Sequence, residues 1–238
     1  MPLAGDYSAA MTEPAAKPET LFPSPQRDTP EFDALFQGRL EDLIHWRRDV
    51  RRFRADPVED ALIDDLIGLA TRSPSVGNSQ PWRFVKVTDP GRRADVIKNF
   101  KACNADALAD YEGAQAQRYA TLKLAGLKEA TVHLAVFCET ETAAGHGLGR
   151  KTMPEMLCYS VVGAVNTLWL AARSRGLGMG WVSIIEPAAI TEILDVAPGW
   201  TLIAYLCIGY PEEEHLDPEL ERAGWQQRLD LTGLILER

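Results

Sequence analysis

The chain has 238 residues, 46% of them apolar and 25% charged, with a formal net charge of −9. This is the composition of a globular domain with enough apolar material for its own core, needing no disulfide or metal staple. The acidic balance excludes the basic footprint of a nucleic-acid surface; no apolar run approaches the ~18 residues of a membrane span, and no basic-then-apolar secretory signal opens the chain.

Residues 1–30 hold six of the fifteen prolines, mixed with Ala, Thr, Ser and Glu. Such a stretch buries too little to offset its ordering entropy, so a flexible tail is expected there and an ordered domain over 31–238. Phe32, Leu35, Phe36, Leu40, Leu43, Ile44 and Trp46 recur at helical spacing, predicting an amphipathic helix that runs into Arg47-Arg48-Asp49-Val50-Arg51. The next helix is expected to be capped by Asp56, with Pro57 in its first turn and Glu59 completing a capping box. Its buried face would be Leu62, Ile63, Leu66, Ile67 and Leu69. Prolines and glycine in Ser73–Pro81 break it, and Trp82–Val87 alternates as a strand. Residues 92–125 are helical but poor in apolar stripe, the pattern of a loosely packed segment or a lid.

Thr131–Cys138 is a short apolar run that predicts a buried strand. Glu155–Arg175 is apolar nearly all round, as in a helix of a core or a subunit interface. Gly176–Gly180 ends it, and Trp181–Ile185 resumes as a strand. Glu186-Pro187 opens a short helix to Leu194, Leu202–Tyr210 is another buried strand, and acidic Glu212–Glu214 and an amphipathic stretch from Trp225 to Leu236 close the chain. Strands and helices mix without strict βαβ alternation, which points to an α+β fold.

Two glycine clusters invite a dinucleotide site, and both fail on context. In Gly145-x-Gly147-x-Gly149 the third glycine comes one place early, and Gly176–Gly180 lies between helix and strand, the reverse of the required order. Arg47, Arg48, Asp49 and Arg51 put four charges in five residues. They fit a solvated helix end or a structural salt bridge; beside Trp46 and Phe53 in an acidic chain they also fit a phosphate ligand, which arginine forks match bidentately. Ser75, Asn78 and Gln80 suit a turn, and two amides so close also suit a planar heterocycle. The four histidines pair with no nucleophile, and no spacing predicts a metal site. Cys103, Cys138, Cys158 and Cys207 lie far apart and read as free thiols of a reducing cytoplasm.

Taken in order, Arg47-Arg48-x-x-Arg51, then Ser73-Pro74-Ser75-x-x-Asn78-x-Gln80-Pro81-Trp82, then Gly178-Met179-Gly180-Trp181 resemble the nitroreductase-type FMN-binding family over roughly residues 40–210. The resemblance implies an α+β homodimer, a mixed central sheet flanked by helices, and FMN at the subunit interface. Arg47, Arg48 and Arg51 would hold the ribityl phosphate, with Asp49 and Val50 beside them. Ser75, Asn78 and Gln80 would come from the neighbouring protomer or its loop, Gly178 and Gly180 would approach the ring, and Glu155–Arg175 would form the dimer core.

Asp49, where a serine or another small residue is usual, is similar to the 5,6-dimethylbenzimidazole synthase branch, as are Tyr119-x-x-Leu122-Lys123-Leu124-Ala125-Gly126-Leu127 and Gly178–Ser183. That resemblance implies reduced FMN bound as substrate and fragmented with O2 to dimethylbenzimidazole, the lower ligand of vitamin B12, and erythrose 4-phosphate. Asp49 and Ser183 would be catalytic, Leu124 would touch the flavin, and residues 100–127 would be a lid. A separate flavin reductase would supply reduced FMN. Nucleic acid, membrane and metal have no implied part. An NAD(P)H-dependent FMN nitro or quinone reductase is the alternative, and a non-catalytic flavin binder a further one. A reductase needs an open face for alternating substrates, against which Asp49 and the lid speak.

Overall fold

The computed structural model describes residues 29–238, so the tail expected over residues 1–30 lies almost wholly outside the described residues. Helix α1 spans Ala34–Trp46, and its cap is Asp33, whose Oδ1 accepts from the Phe36 amide at 2.8 Å. No residue of α1 is buried, and Phe36, Leu40 and Ile44 stand exposed. The arginine run does not continue this helix: Arg47 is extended (ψ 118°).

Helix α2 covers Asp60–Ala70 and buries Ile63, Leu66 and Ala70. Two expectations fail here. Glu59 occupies the cap position, while Asp56 pairs with Arg54 at 2.8 Å in solvent. Leu69 is also exposed, because the buried stripe runs through Ile63, Leu66 and Ala70, one step off it.

Four strands, β1 (Trp82–Lys86), β2 (Val132–Glu139), β3 (Gly178–Val182) and β4 (Trp200–Gly209), form one sheet in the order β1-β2-β4-β3. Every pairing is antiparallel, where the sequence resemblance implies a mixed sheet. Among the described residues, the one parallel pairing is an isolated bridge between Asp49 and Met179. Strand β3 starts at Gly178 and not Trp181, because its glycines already pair with Gly209 and Cys207.

Alternate residues of β2 enter two cores, as the two-residue period of a strand requires. Leu134, Val136 and Cys138 join the core built with α2 and with Val161, Val165 and Leu168 of α5 (Met156–Ser174). Ala135 and Phe137 face the opposite way, with Val96 of α3 (Pro90–Ala109), Ile190 of α6 (Pro187–Leu194), Phe53 and Leu127. Each buried Val, Leu, Ile or Phe among them contributes roughly 1.5–3 kcal/mol. Helix α5 is long and apolar enough to cross a membrane by length and composition, yet it is a core helix here. Its other face leaves Tyr159 and Val162 exposed.

The helical stretch 92–125 resolves into α3 and α4 (Gly113–Thr121), followed by an irregular segment 122–126. Helix α6 begins as expected, with Pro187 in its first turn and the Glu186 carboxylate accepting from the Ala188 amide at 3.4 Å. After the short α7 (Glu219–Arg222), the stretch from Trp225 is irregular and exposes Leu229, Leu231, Leu234, Ile235 and Leu236.

Candidate functional site

Leaving α1, residues 47–51 run beside β3, with the Val50 amide donating to the Met179 carbonyl at 3.0 Å. The glycines of β3 make this approach possible. A Cβ on Gly180 would sit 2.2 Å from the Val50 carbonyl oxygen, and one on Gly178 would sit 2.8 Å from Val50 Cγ2. On the side where a Cβ would stand, both glycines pack against Val50.

That docking fixes Asp49. Its Oδ1 accepts from the Trp181 amide at 3.0 Å, and its Oδ2 accepts from Arg51 Nε at 2.9 Å. The side chain keeps 33% of its exposure, so each oxygen is aimed and retains acceptor capacity toward the open side.

The neighbouring arginines differ in commitment. Arg47 lies over the Trp169 ring, 5.1 Å from its centroid, and Trp169 Nε1 donates to the Arg48 carbonyl at 3.2 Å. Arg48 donates through one terminal nitrogen to the His45 carbonyl, while its Nε is buried with no partner. Burial first, then Arg47 and Arg228, holds the Arg48 guanidinium below its ordinary pKa. Arg51, only 12% exposed, donates to Asp49 and also to the Lys123 carbonyl at 2.9 Å.

Sequence reasoning misses the acidic partners of this region. Arg52 pairs with Glu219 at 2.7 Å and Glu213 at 3.1 Å, and the Glu219 bond leads in raising its pKa. Arg173 holds Glu214 through two bonds of 2.9 and 2.8 Å, raising its own pKa and lowering that of Glu214. The only sequence signal is the Glu212–Glu214 run, whose Glu213 lies 161 residues from Arg52.

Ser183 follows β3 directly and is exposed. Its loop is tied to α3 by Asn99, whose Oδ1 accepts from the Glu186 amide at 2.9 Å. Leu124 is half-buried beside a cavity of about 270 Å³ shared with Ile97, Phe100 and Leu122.

Ser75, Asn78 and Gln80 are not brought to this place. They precede β1, at the edge of the sheet opposite β3, three inter-strand steps or roughly 14 Å away in sheet width. Ser75 Oγ accepts from the Gln80 amide at 3.0 Å, and Asn78 and Gln80 adopt φ of 53° and 47°. Ser75 thus serves the turn, and both amide side chains belong to exposed residues. Gly77 is required there: its Cβ would meet the Gly145 carbonyl at 3.0 Å, and its φ is 59°.

The nitroreductase family profile matches residues 44–210 of the chain. A 5,6-dimethylbenzimidazole synthase of Rhodospirillum rubrum is 55% identical over 202 residues, which cover 85% of this chain and 96% of that protein. One from Rhodobacter capsulatus is 48% identical over 198 residues, covering 83% of this chain and 96% of that protein. Among solved structures, iodotyrosine deiodinase bound to FMN and 3-iodo-L-tyrosine superposes with a TM-score of 0.63 at 24% identity, over 74% of this chain and 91% of that one. That last likeness concerns the fold.

Proposed function

This chain belongs to the nitroreductase family, and we propose that within it the chain makes 5,6-dimethylbenzimidazole by oxygen-dependent fragmentation of reduced FMN, releasing erythrose 4-phosphate. Relatives at 48% and 55% identity over nearly their whole length carry that name, which supports the reading. The structural observation that carries it is Asp49, a carboxylate gripped at both oxygens, by the Trp181 amide and by Arg51, and open on its remaining side.

The residues present fit the flavin. A buried guanidinium nitrogen without a partner, Arg48 Nε, is costly unless an acceptor completes it, and a phosphate supplies that acceptor. Arg48 and Arg47 therefore hold the phosphate, with Val50, Arg51 and Leu124 lining the site. Bound reduced FMN supplies the electrons for O2 and the carbon atoms of the product.

Asp49 takes protons at its carboxylate oxygens, as a base fixed in place before the substrate arrives. Ser183 offers a hydroxyl that donates or accepts as the substrate's polar atoms change. Residues 100–127 act as the lid that keeps water and other electron acceptors away. The domain runs over 31–238 and works as a homodimer. A second copy brings Ser75, Asn78 and Gln80 to the arginines, which one chain keeps at opposite sheet edges. It also covers the exposed Phe36, Leu40, Ile44, Tyr159 and Val162. A separate cytoplasmic flavin reductase supplies the reduced substrate.

Aerobic incubation with chemically reduced FMN, without nicotinamide, tests the reading by chromatography. Dimethylbenzimidazole is expected. FMN returned merely oxidised, together with NAD(P)H consumption in a separate assay with a nitro or quinone acceptor, would make the chain a reductase.

A further inference from the structure

We propose that Arg51 is a positioning residue that ties Asp49 to the segment 122–127, so that the second grip on the carboxylate, at Oδ2, is set while this segment is seated. The guanidinium bridges two parts of the chain 72 residues apart: Nε donates to Asp49 Oδ2 and Nη1 to the Lys123 carbonyl, both at 2.9 Å. It does so at 12% exposure, where water competes poorly for either acceptor.

The contact is reinforced on both sides. Gly126 lies against the same stretch of chain as Arg51: a Cβ there would stand 2.3 Å from Phe53 Cε2 and 3.1 Å from the Arg51 carbonyl oxygen. Lys123 is itself held by Glu129 at 2.6 Å, and Leu127 is buried in the second core. The segment has no regular helix or strand of its own, so these contacts set its position. Lysine at position 51 would keep the charge but lose the fork that spans both acceptors. The resemblance implies phosphate binding by Arg51; its geometry directs it to Asp49 and to a backbone carbonyl.

The consequence for turnover rests on the function proposed above, whereas the tie does not. Hydrogen–deuterium exchange on the flavin-free chain therefore tests it first. In Arg51→Gln, amides of 122–130 should exchange roughly ten- to a hundredfold faster, the loss of one charge-assisted bond. Asp49→Ala should reproduce part of that increase, since Arg51 loses its other anchor. Arg51→Lys serves should the glutamine variant not fold. With reduced FMN, Arg51→Lys should lower kcat roughly ten- to a hundredfold at nearly constant KM, as expected of misaligned catalytic groups. Unchanged exchange over 122–130 in both Arg51 variants, or a raised KM at wild-type kcat, would overturn the proposal and leave Arg51 as a ligand of FMN. Absence of benzimidazole product from the wild-type chain would instead remove the proposed function and leave the exchange result to stand alone.

Discussion

Gly180→Ala tests the claim that β3 is glycine-rich to admit the segment that carries Asp49. The added methyl would begin 2.2 Å from the Val50 carbonyl oxygen and 3.6 Å from Asp49 Oδ1. An ordinary carbon–oxygen contact needs about 1 Å more, and backbone on both sides leaves no flexible side chain to give way. The segment must lift. Lifting it breaks the bond from the Val50 amide to the Met179 carbonyl and the bond from the Trp181 amide to Asp49, both 3.0 Å. A neutral bond at about 1 kcal/mol and a charged one at about 1.5–3 give about 2.5–4 kcal/mol. For a domain of this size that lowers Tm by roughly 5–15 °C. Thermal unfolding followed by circular dichroism reads the first effect, and benzimidazole yield from reduced FMN reads the second, which should fall about a hundredfold as Asp49 moves. A variant with wild-type Tm and yield would refute the packing argument.

Asp49→Asn should retain FMN binding and lose about 10²–10⁴-fold in product formation, since the base is gone; near-normal yield would remove Asp49 from catalysis. Ser183→Ala should slow fragmentation without lowering Tm, because the exposed hydroxyl supports no packing; unchanged rates would exclude it. Arg48→Ala should weaken FMN binding by about 1.5–3 kcal/mol, read by fluorescence titration, and unchanged affinity would place the phosphate elsewhere. Burial lowers the His133 pKa from 6.5 to about 4, its Nδ1 lying 2.9 Å from the Tyr205 hydroxyl. The unfolded chain therefore binds an extra proton between these values, and stability should fall by about 3 kcal/mol as pH drops from above 6.5 to below 4. Urea titrations against pH should show this loss and show it reduced in His133→Gln; identical pH profiles would contradict it.

Local rules carried much of the fold in the sequence. Glu186-Pro187 announces α6, and the apolar run at 131–138 announces β2, because capping and strand burial depend on near neighbours. Asp56 misled because a capping box can be written by chance; Arg54, two residues away, offers its carboxylate a competing partner. The antiparallel sheet was hidden by order: β3 pairs with the later β4, and β2 with both β1 and β4. At the site, the arginines and Asp49 were legible as a charge cluster. Their division of labour was not. The Lys123 carbonyl lies 72 residues from Arg51, and Glu213 and Glu219 lie 161 and 167 residues from Arg52. A backbone carbonyl, moreover, leaves no mark in a sequence.

That division explains why some arginines of the cleft suit a phosphate better than others. Arg52 and Arg173 already face carboxylates, so a phosphate would have to displace Glu213 and Glu219 or Glu214, exchanging one charged bond for another at little net gain. Arg51 is committed to Asp49 and Lys123. Arg47 instead stacks on Trp169, and Arg48 turns to a backbone carbonyl while keeping one buried nitrogen unbonded. Arg48 is partly desolvated in the folded chain and its guanidinium faces the repulsion of Arg47, so under the proposed function a phosphate there would gain a charged bond and relieve that repulsion. The acidic segment 212–219 thus acts by subtraction: by occupying the guanidinium groups of Arg52 and Arg173, it leaves Arg47 and Arg48 as the arginines that the proposed function assigns to the phosphate.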